Sequence, residues 1–121
     1  PTVGYRFEAE EAVAAIAGDT VPCEGLDRLV GGVGVYVQTT VRRDQIEAIG
    51  IPRMVDVLDY HSTIEQAAET ANRNGVRTLV LTHLVPPPPP DSPAEAEWAA
   101  LAAEGFDGEV VVARDLTTIE A

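Results

Sequence analysis

The chain has 121 residues, with eight arginines, no lysine and 20 acidic residues, giving a formal net charge of −12. With 45% hydrophobic and 23% charged residues it has the composition of one globular domain or a large piece of one. The negative field argues against nucleic-acid binding through this segment, because a phosphate backbone is held by Lys and Arg, and a single cysteine, Cys23, excludes an internal disulfide.

Residues 3–7 alternate apolar with small or polar side chains, as a strand does. The apolar run at 12–17 fits a buried strand or a helical turn, and the Gly18-Asp19-Thr20 turn after it favours the strand. Residues 23–29 read as a short helix closed by Gly31 and Gly32, and the β-branched and aromatic stretch 33–37 as a strand. A short helix is expected over 42–49, stopped by Gly50 and Pro52. Residues 62–74 carry the strongest helix pattern. Ser62 or Thr63 can cap it, Ser62 and Glu65 have capping-box spacing, and Ile64, Ala67, Ala68 and Ala71 share one face. Gly75 is placed for its C-terminal turn, and 78–81 follow as a buried strand leading into His83. The prolines at 86–90 form an extended tract without backbone donors. Ser92 then caps a helix with Pro93 at its first position, running to about Glu104, with Trp98 and Leu101 on one side and Gly105 after it. A last strand is expected over 109–113, with Asp115 and Leu116 turning out of it. The helix–glycine–strand order indicates an α/β layer arrangement.

Three positions carry candidate chemistry, each next to a strand end. Asp19 is a carboxylate in Gly18-Asp19-Thr20, His61 opens His61-Ser62-Thr63, and His83 sits in Leu81-Thr82-His83-Leu84. Carboxylate oxygens and imidazole nitrogens suit zinc and similar cations, and the C-terminal ends of strands are where α/β folds place their sites. Taken singly, Asp between Gly and Thr is a common turn, and a lone histidine after a strand is commonly structural. Cys23 reads as a small buried core residue and Asp115 as a turn or a buried hydrogen-bonding group.

Order and spacing of these motifs resemble the C-terminal half of a metallo-β-lactamase-fold metal-dependent hydrolase, of the ribonuclease Z-like and arylsulfatase-like branch. The resemblance implies an α/β fold: half of an αββα sandwich, one β-sheet with flanking helices. It implies that Asp19 bridges two metals, that His83 is the last histidine ligand, and that His61 assists catalysis as proton donor or charge stabiliser. Zinc is the expected cofactor, two ions per complete site, with manganese or iron as alternatives. The family's His-x-His-x-Asp-His motif is nowhere in the sequence. The expected partner is therefore the N-terminal half of the same domain, which would bring the remaining ligands and cover an apolar sheet face otherwise open to self-association into a homo-oligomer.

The leading expectation is a metal-activated water attacking a small ester-type substrate: a phosphoester, sulfate ester or lactone. A tRNA 3′-processing endonuclease is the second reading, and a non-catalytic half acting as a binding or assembly module the third. Against the second stand the acidic balance and the run from Leu84-Val85 into prolines where ribonuclease Z members carry Phe-Ser-x-Arg-Tyr. Gln38 also departs from the pattern, standing where many relatives have glutamate, so that any contribution of that carboxylate is lost. No apolar run approaches the roughly 18–20 residues that span a bilayer and no basic-then-apolar leader opens the sequence, so the default expectation is a cytoplasmic setting.

Overall fold

In the computed structural model, which describes residues 1–90 and 92–121, the chain opens with an antiparallel hairpin. Strand β1 (Tyr5–Glu8) pairs with β2 (Val13–Ile16), Tyr5 opposite Ile16 and Phe7 opposite Ala14. Helix α1 (Glu24–Val30) then crosses to β3 (Val35–Val41), which lies parallel to β2. Two short helices, α2 (Arg43–Ala48) and α3 (Pro52–Val55), and a 3₁₀ turn at Asp56–Asp59 lead to the two-residue strand β4 (Ser62–Thr63) beside the end of β3. Helix α4 (Ile64–Arg73) returns the chain to β5 (Thr78–Val85), and α5 (Pro93–Ala103) to β6 (Glu109–Val112). The sheet order is β1-β2-β3-β5-β6, with β4 pairing β3 off this path and every pair beyond the opening hairpin parallel. Parallel neighbours need a long crossover, which is what α1, α4 and α5 supply.

Those three helices pack on one face of the sheet. Leu26 and Val30 of α1, Ile64, Ala67, Ala68 and Ala71 of α4, and Trp98 and Ala102 of α5 share a core with Ala15, Tyr36, Leu79 and Leu81 of the strands. The four α4 residues are those that the sequence spacing set on one face, and all four are fully buried. Alanines let this helix approach the sheet closely, leaving the bulk of the core to Trp98 and Tyr36. The other face carries Ala14, Ile16, Val35, Val37 and Val80, crossed by Thr117, Ile119 and Ala121 of the C-terminal tail. The tail does not reach its β1 edge, where Tyr5 and Phe7 stay 60% and 56% exposed, and Ile16 beside them is 42% exposed.

The expected elements are all present, with shifted ends. Strand β3 runs on to Val41 and β5 to Val85, so His83 lies within a strand and not just beyond one. Helix α4 begins at Ile64, because Thr63 and not Ser62 is its cap. The Thr63 hydroxyl accepts from the Gln66 amide while Gln66 Oε1 accepts from Thr63 N–H at 3.0 Å, a reciprocal box one residue later than Ser62 and Glu65 would make it. Gly75, at φ +67°, ends the helix as expected, taking a conformation that costs a side-chain-bearing residue. Ser92 precedes α5, but its hydroxyl donates to the Pro89 carbonyl at 2.6 Å and makes no bond to the helix. Cys23 is exposed, not buried: as the residue before α1 it has extended backbone and stands outside the core that Leu26 enters. Asp115 is also exposed, in a turn closed by reciprocal Arg114 and Thr117 bonds, which fits the turn reading and not the buried one.

Candidate metal centre

At the C-terminal ends of the parallel strands, two loops and the end of β5 bring Asp19, His61 and His83 together. One ligand atom from each lies within 4.8 Å of the other two. Asp19 follows β2, His61 follows the 3₁₀ turn and precedes β4, and His83 is carried by β5. Every residue for which the sequence predicted a site role is therefore in this one cluster.

Each side chain is aimed by a local device. For His83 it is a bulge: Thr82 pairs with Thr39 and Val85 with Val41, so His83 and Leu84 together stand opposite Thr40. The extra residue is accommodated by His83 at φ +46°, a left-handed conformation rare outside glycine that turns the imidazole out of the ladder. Strain of this kind, of order 1–3 kcal/mol, persists where surrounding structure enforces it and is concentrated at functional sites.

For His61 the device is a backbone carbonyl. Its Nδ1 donates to Val57 O at 3.2 Å, and its own N–H bonds the same carbonyl at 3.1 Å. The ring is buried, and the bond to Val57 fixes its orientation and leaves Nε2 as the nitrogen presented to the cluster, as outer partners do for imidazoles at metal sites. That Nε2 faces Asp19 Oδ2 at 3.4 Å. Two lone pairs at this distance repel unless a proton or a cation lies between them.

For Asp19 the device is the turn itself. Gly18 lets the chain pass β1's approach, since a side chain there would meet the Val3 carbonyl at 3.1 Å. Thr2 Oγ1 donates to the Asp19 carbonyl at 2.7 Å and Ser62 Oγ to the Thr20 carbonyl at 2.6 Å. On the inner side, Gln38 Nε2 donates to the Gly18 carbonyl at 3.3 Å and Thr39 Oγ1 to the same oxygen at 3.4 Å. Gln38 is fully buried, and its Oε1 accepts from the Tyr36 hydroxyl. Burial pushes the Tyr36 phenol well above its ordinary value, so it remains a donor.

The trio fits a divalent ion. The His61 Nε2–Asp19 Oδ2 separation leaves room for a shared proton or a cation between the two groups, and Asp19 and His83 offer a carboxylate and an imidazole, donors that zinc takes. The Asp19 carboxylate gives one oxygen to each imidazole, Oδ2 toward His61 and Oδ1 toward His83 Nδ1 at 3.9 Å. A carboxylate divided in this way suits two neighbouring cations. Asp19 and His83 are half exposed, so the cluster is open on one side. The rings of His61 and His83 lie nearly parallel with centroids 6.0 Å apart, and Tyr60 stands 4.9 Å from His61. Beside His83 a hollow of about 550 Å³ is walled by Pro87, Pro88 and Pro90 and by Arg114 and Asp115. The proline tract thus borders the site.

What the sequence hid are the residues behind the three. Ser62 reads as a helix cap, and nothing local in the sequence ties Thr2 or Val57 to the site. Gln38 reads only as a missing carboxylate. The one available signal was parity: Gln38 is two residues from Tyr36 in a strand, which puts a polar group on the core side and requires a buried partner.

No family model matches the chain. Among curated proteins it is 50% identical over 120 residues to a ribonuclease Z of Mycolicibacterium gilvum, with 99% of this chain covered. It is 47% identical over the same length to ribonuclease Z of Mycobacterium tuberculosis H37Rv. The chain spans 41% and 43% of the length of these two relatives. Among solved structures, the metallo-β-lactamase-fold protein YhfI of Bacillus subtilis superposes with a TM-score of 0.68 at 16% identity, over 90% of this chain and 40% of that one. The short form of human tRNase Z superposes with a TM-score of 0.60 at 21% identity, over 97% of this chain and 36% of that one. Those likenesses establish the fold, and the sequence relatives supply the branch. This chain is a ribonuclease Z-like segment of a metallo-β-lactamase-fold domain.

Proposed function

We propose that the chain is part of a metal-dependent ribonuclease of the tRNA 3′-processing kind, the second of the three readings of the sequence. The observation that carries it is the meeting of Asp19, His61 and His83 in a segment similar over nearly its whole length to proteins named ribonuclease Z. That similarity favours a phosphodiester in RNA over the small ester-type substrate put first from sequence. Asp19 and His83 would hold the metal, with zinc the default for imidazole and carboxylate donors. Divalent ions supply Lewis acidity and lower the pKa of water. Within reach of the reacting phosphate, His61 would deliver a proton to the leaving oxygen, its ring fixed by the Val57 carbonyl.

The relatives' remaining length would provide the other ligands. We place it, as the N-terminal half, against the sheet face where Tyr5, Phe7 and Ile16 are exposed. A net charge of −12 on this segment means that the basic surface gripping RNA phosphates belongs to that other portion.

Elemental mass spectrometry, paired with cleavage of a 3′-extended tRNA precursor and of a simple aryl phosphodiester, tests the proposal. The expected result is a zinc-like content lost in Asp19→Ala, with cleavage of the precursor at a single 3′ site. Hydrolysis of the small ester without the precursor would restore the first reading of the sequence. Absence of metal in the protein together with its complementing half would leave a binding or assembly module.

A further inference from the structure

Gly18, Asp19 and Thr20 present three consecutive backbone carbonyls, and every one accepts a side-chain hydrogen bond from elsewhere in the chain. Thr2 takes the Asp19 oxygen, Ser62 the Thr20 oxygen, and Gln38 with Thr39 the Gly18 oxygen. Turn carbonyls on a surface ordinarily bond water. Here they are tied to the N-terminal segment, to β4 and to the middle strand of the sheet.

Within this set Gln38 is the buried member, and its chemistry matches its surroundings group for group. The amide nitrogen has two hydrogens and meets the carbonyls of Gly18 at 3.3 Å and Thr39 at 2.9 Å, with the Thr39 hydroxyl oxygen also at 3.3 Å. The amide oxygen accepts from the Tyr36 hydroxyl, and the two carbonyls, which can only accept, fix the nitrogen as the end that points to the turn. An ionised glutamate has the same shape and only acceptors, so it would set its charge against both carbonyls. Position 38 is thus built for an amide.

We propose that Gln38 is a positioning residue for Asp19: it holds the Gly18 carbonyl, and so sets the carboxylate with one oxygen toward each imidazole. This rests on the metal-centre reading above for its consequence, though not for its geometry. A group that orients a metal ligand from behind, without touching the metal, typically changes affinity or activity by about 10–100-fold when removed. Gln38 serves the ligand and not the reacting atoms.

Two variants test this, Gln38→Glu and Gln38→Met, the second keeping the volume without hydrogen bonds. Hydrogen–deuterium exchange of the peptide spanning Gly18 to Val21 is read first, in the metal-free protein. Both substitutions should speed exchange there about tenfold or more while leaving β5 and α4 as in the unsubstituted protein. With Co(II) as probe, both should weaken binding about 10–100-fold and alter the visible absorption bands. A role confined to stability would lower the melting temperature and leave the band shape and the affinity of the folded protein unchanged, and that result overturns the proposal. So does unchanged exchange at the turn. If the buried substitutions prevent folding, Thr39→Val and Ser62→Ala read out the same turn from its rim, each with a smaller rise in exchange; no rise in either would also overturn it. Should the unsubstituted protein together with its complementing half bind no Co(II), the function proposed above falls, while the exchange comparison still decides whether Gln38 holds the turn.

Discussion

Asp19→Ala removes the one group that both imidazoles face, so metal and activity should be lost together. His83→Ala should do the same. His61→Ala is expected to differ: turnover should fall about 10²–10⁴-fold, the usual worth of a positioned proton donor, with metal retained. Metal content beside turnover separates the cases, and loss of metal in His61→Ala would make that histidine a ligand. The three positions were legible because Gly-Asp-Thr, His-Ser-Thr and Leu-Thr-His are contiguous motifs. Their supports were not. A hydrogen bond from Gln38 to Gly18 or from Ser62 to Thr20 joins residues 20 and 42 apart, and only the fold brings them together.

Helix α4 was legible almost to the residue, because an alanine-rich face and a terminal glycine act locally. Of the two caps the sequence offers, Thr63 is the one used, because the Ser62 hydroxyl is drawn to the Thr20 carbonyl. Thr63→Ala should therefore cost about 1 kcal/mol in denaturant unfolding, whereas Ser62→Ala should act at the turn beside Asp19. Helix α5 illustrates the opposite case. Its cap is idle, and it is held through Trp98, which is fully buried in the common core. Trp98→Ala should cost about 3–5 kcal/mol, measured by the same unfolding curves. Strand ends were the least legible feature. Val85 pairs with Val41 across the bulge, an extension of β5 that no local pattern announces.

Across the whole molecule, the resemblance to half of a sandwich leads to the expectation of an open sheet face, yet does not say how far the chain's own tail covers it. The tail reaches Val37 and Val80 and stops short of Tyr5 and Phe7. Tyr5→Ser with Phe7→Ser should accordingly leave the melting temperature of this segment within a few degrees and abolish its association with the complementing half, read by analytical ultracentrifugation. Acid stability has its own signature. Asn74 first and then Arg73 hydrogen-bond the Asp27 carboxylate, joining α1 to the end of α4 and holding its pKa below the ordinary value. A lowered native pKa gives stability that is complete above the unfolded value, about pH 4, and is lost as the pH falls through the native one. Asp27→Asn should thus be less stable than the unsubstituted protein at pH 6, with the gap closing toward pH 2 in urea midpoints.

One residue too many in β5 makes the sheet a worse sheet. Deleting Leu84 would let the ladder from Thr82 to Val85 run on in register, and His83 would relax from φ +46° into ordinary extended backbone. Pairing would improve while the imidazole lost the twist that aims it at Asp19. Regularity and chemistry are thus traded against each other at a single position, and a sequence optimised only for folding would discard that residue first.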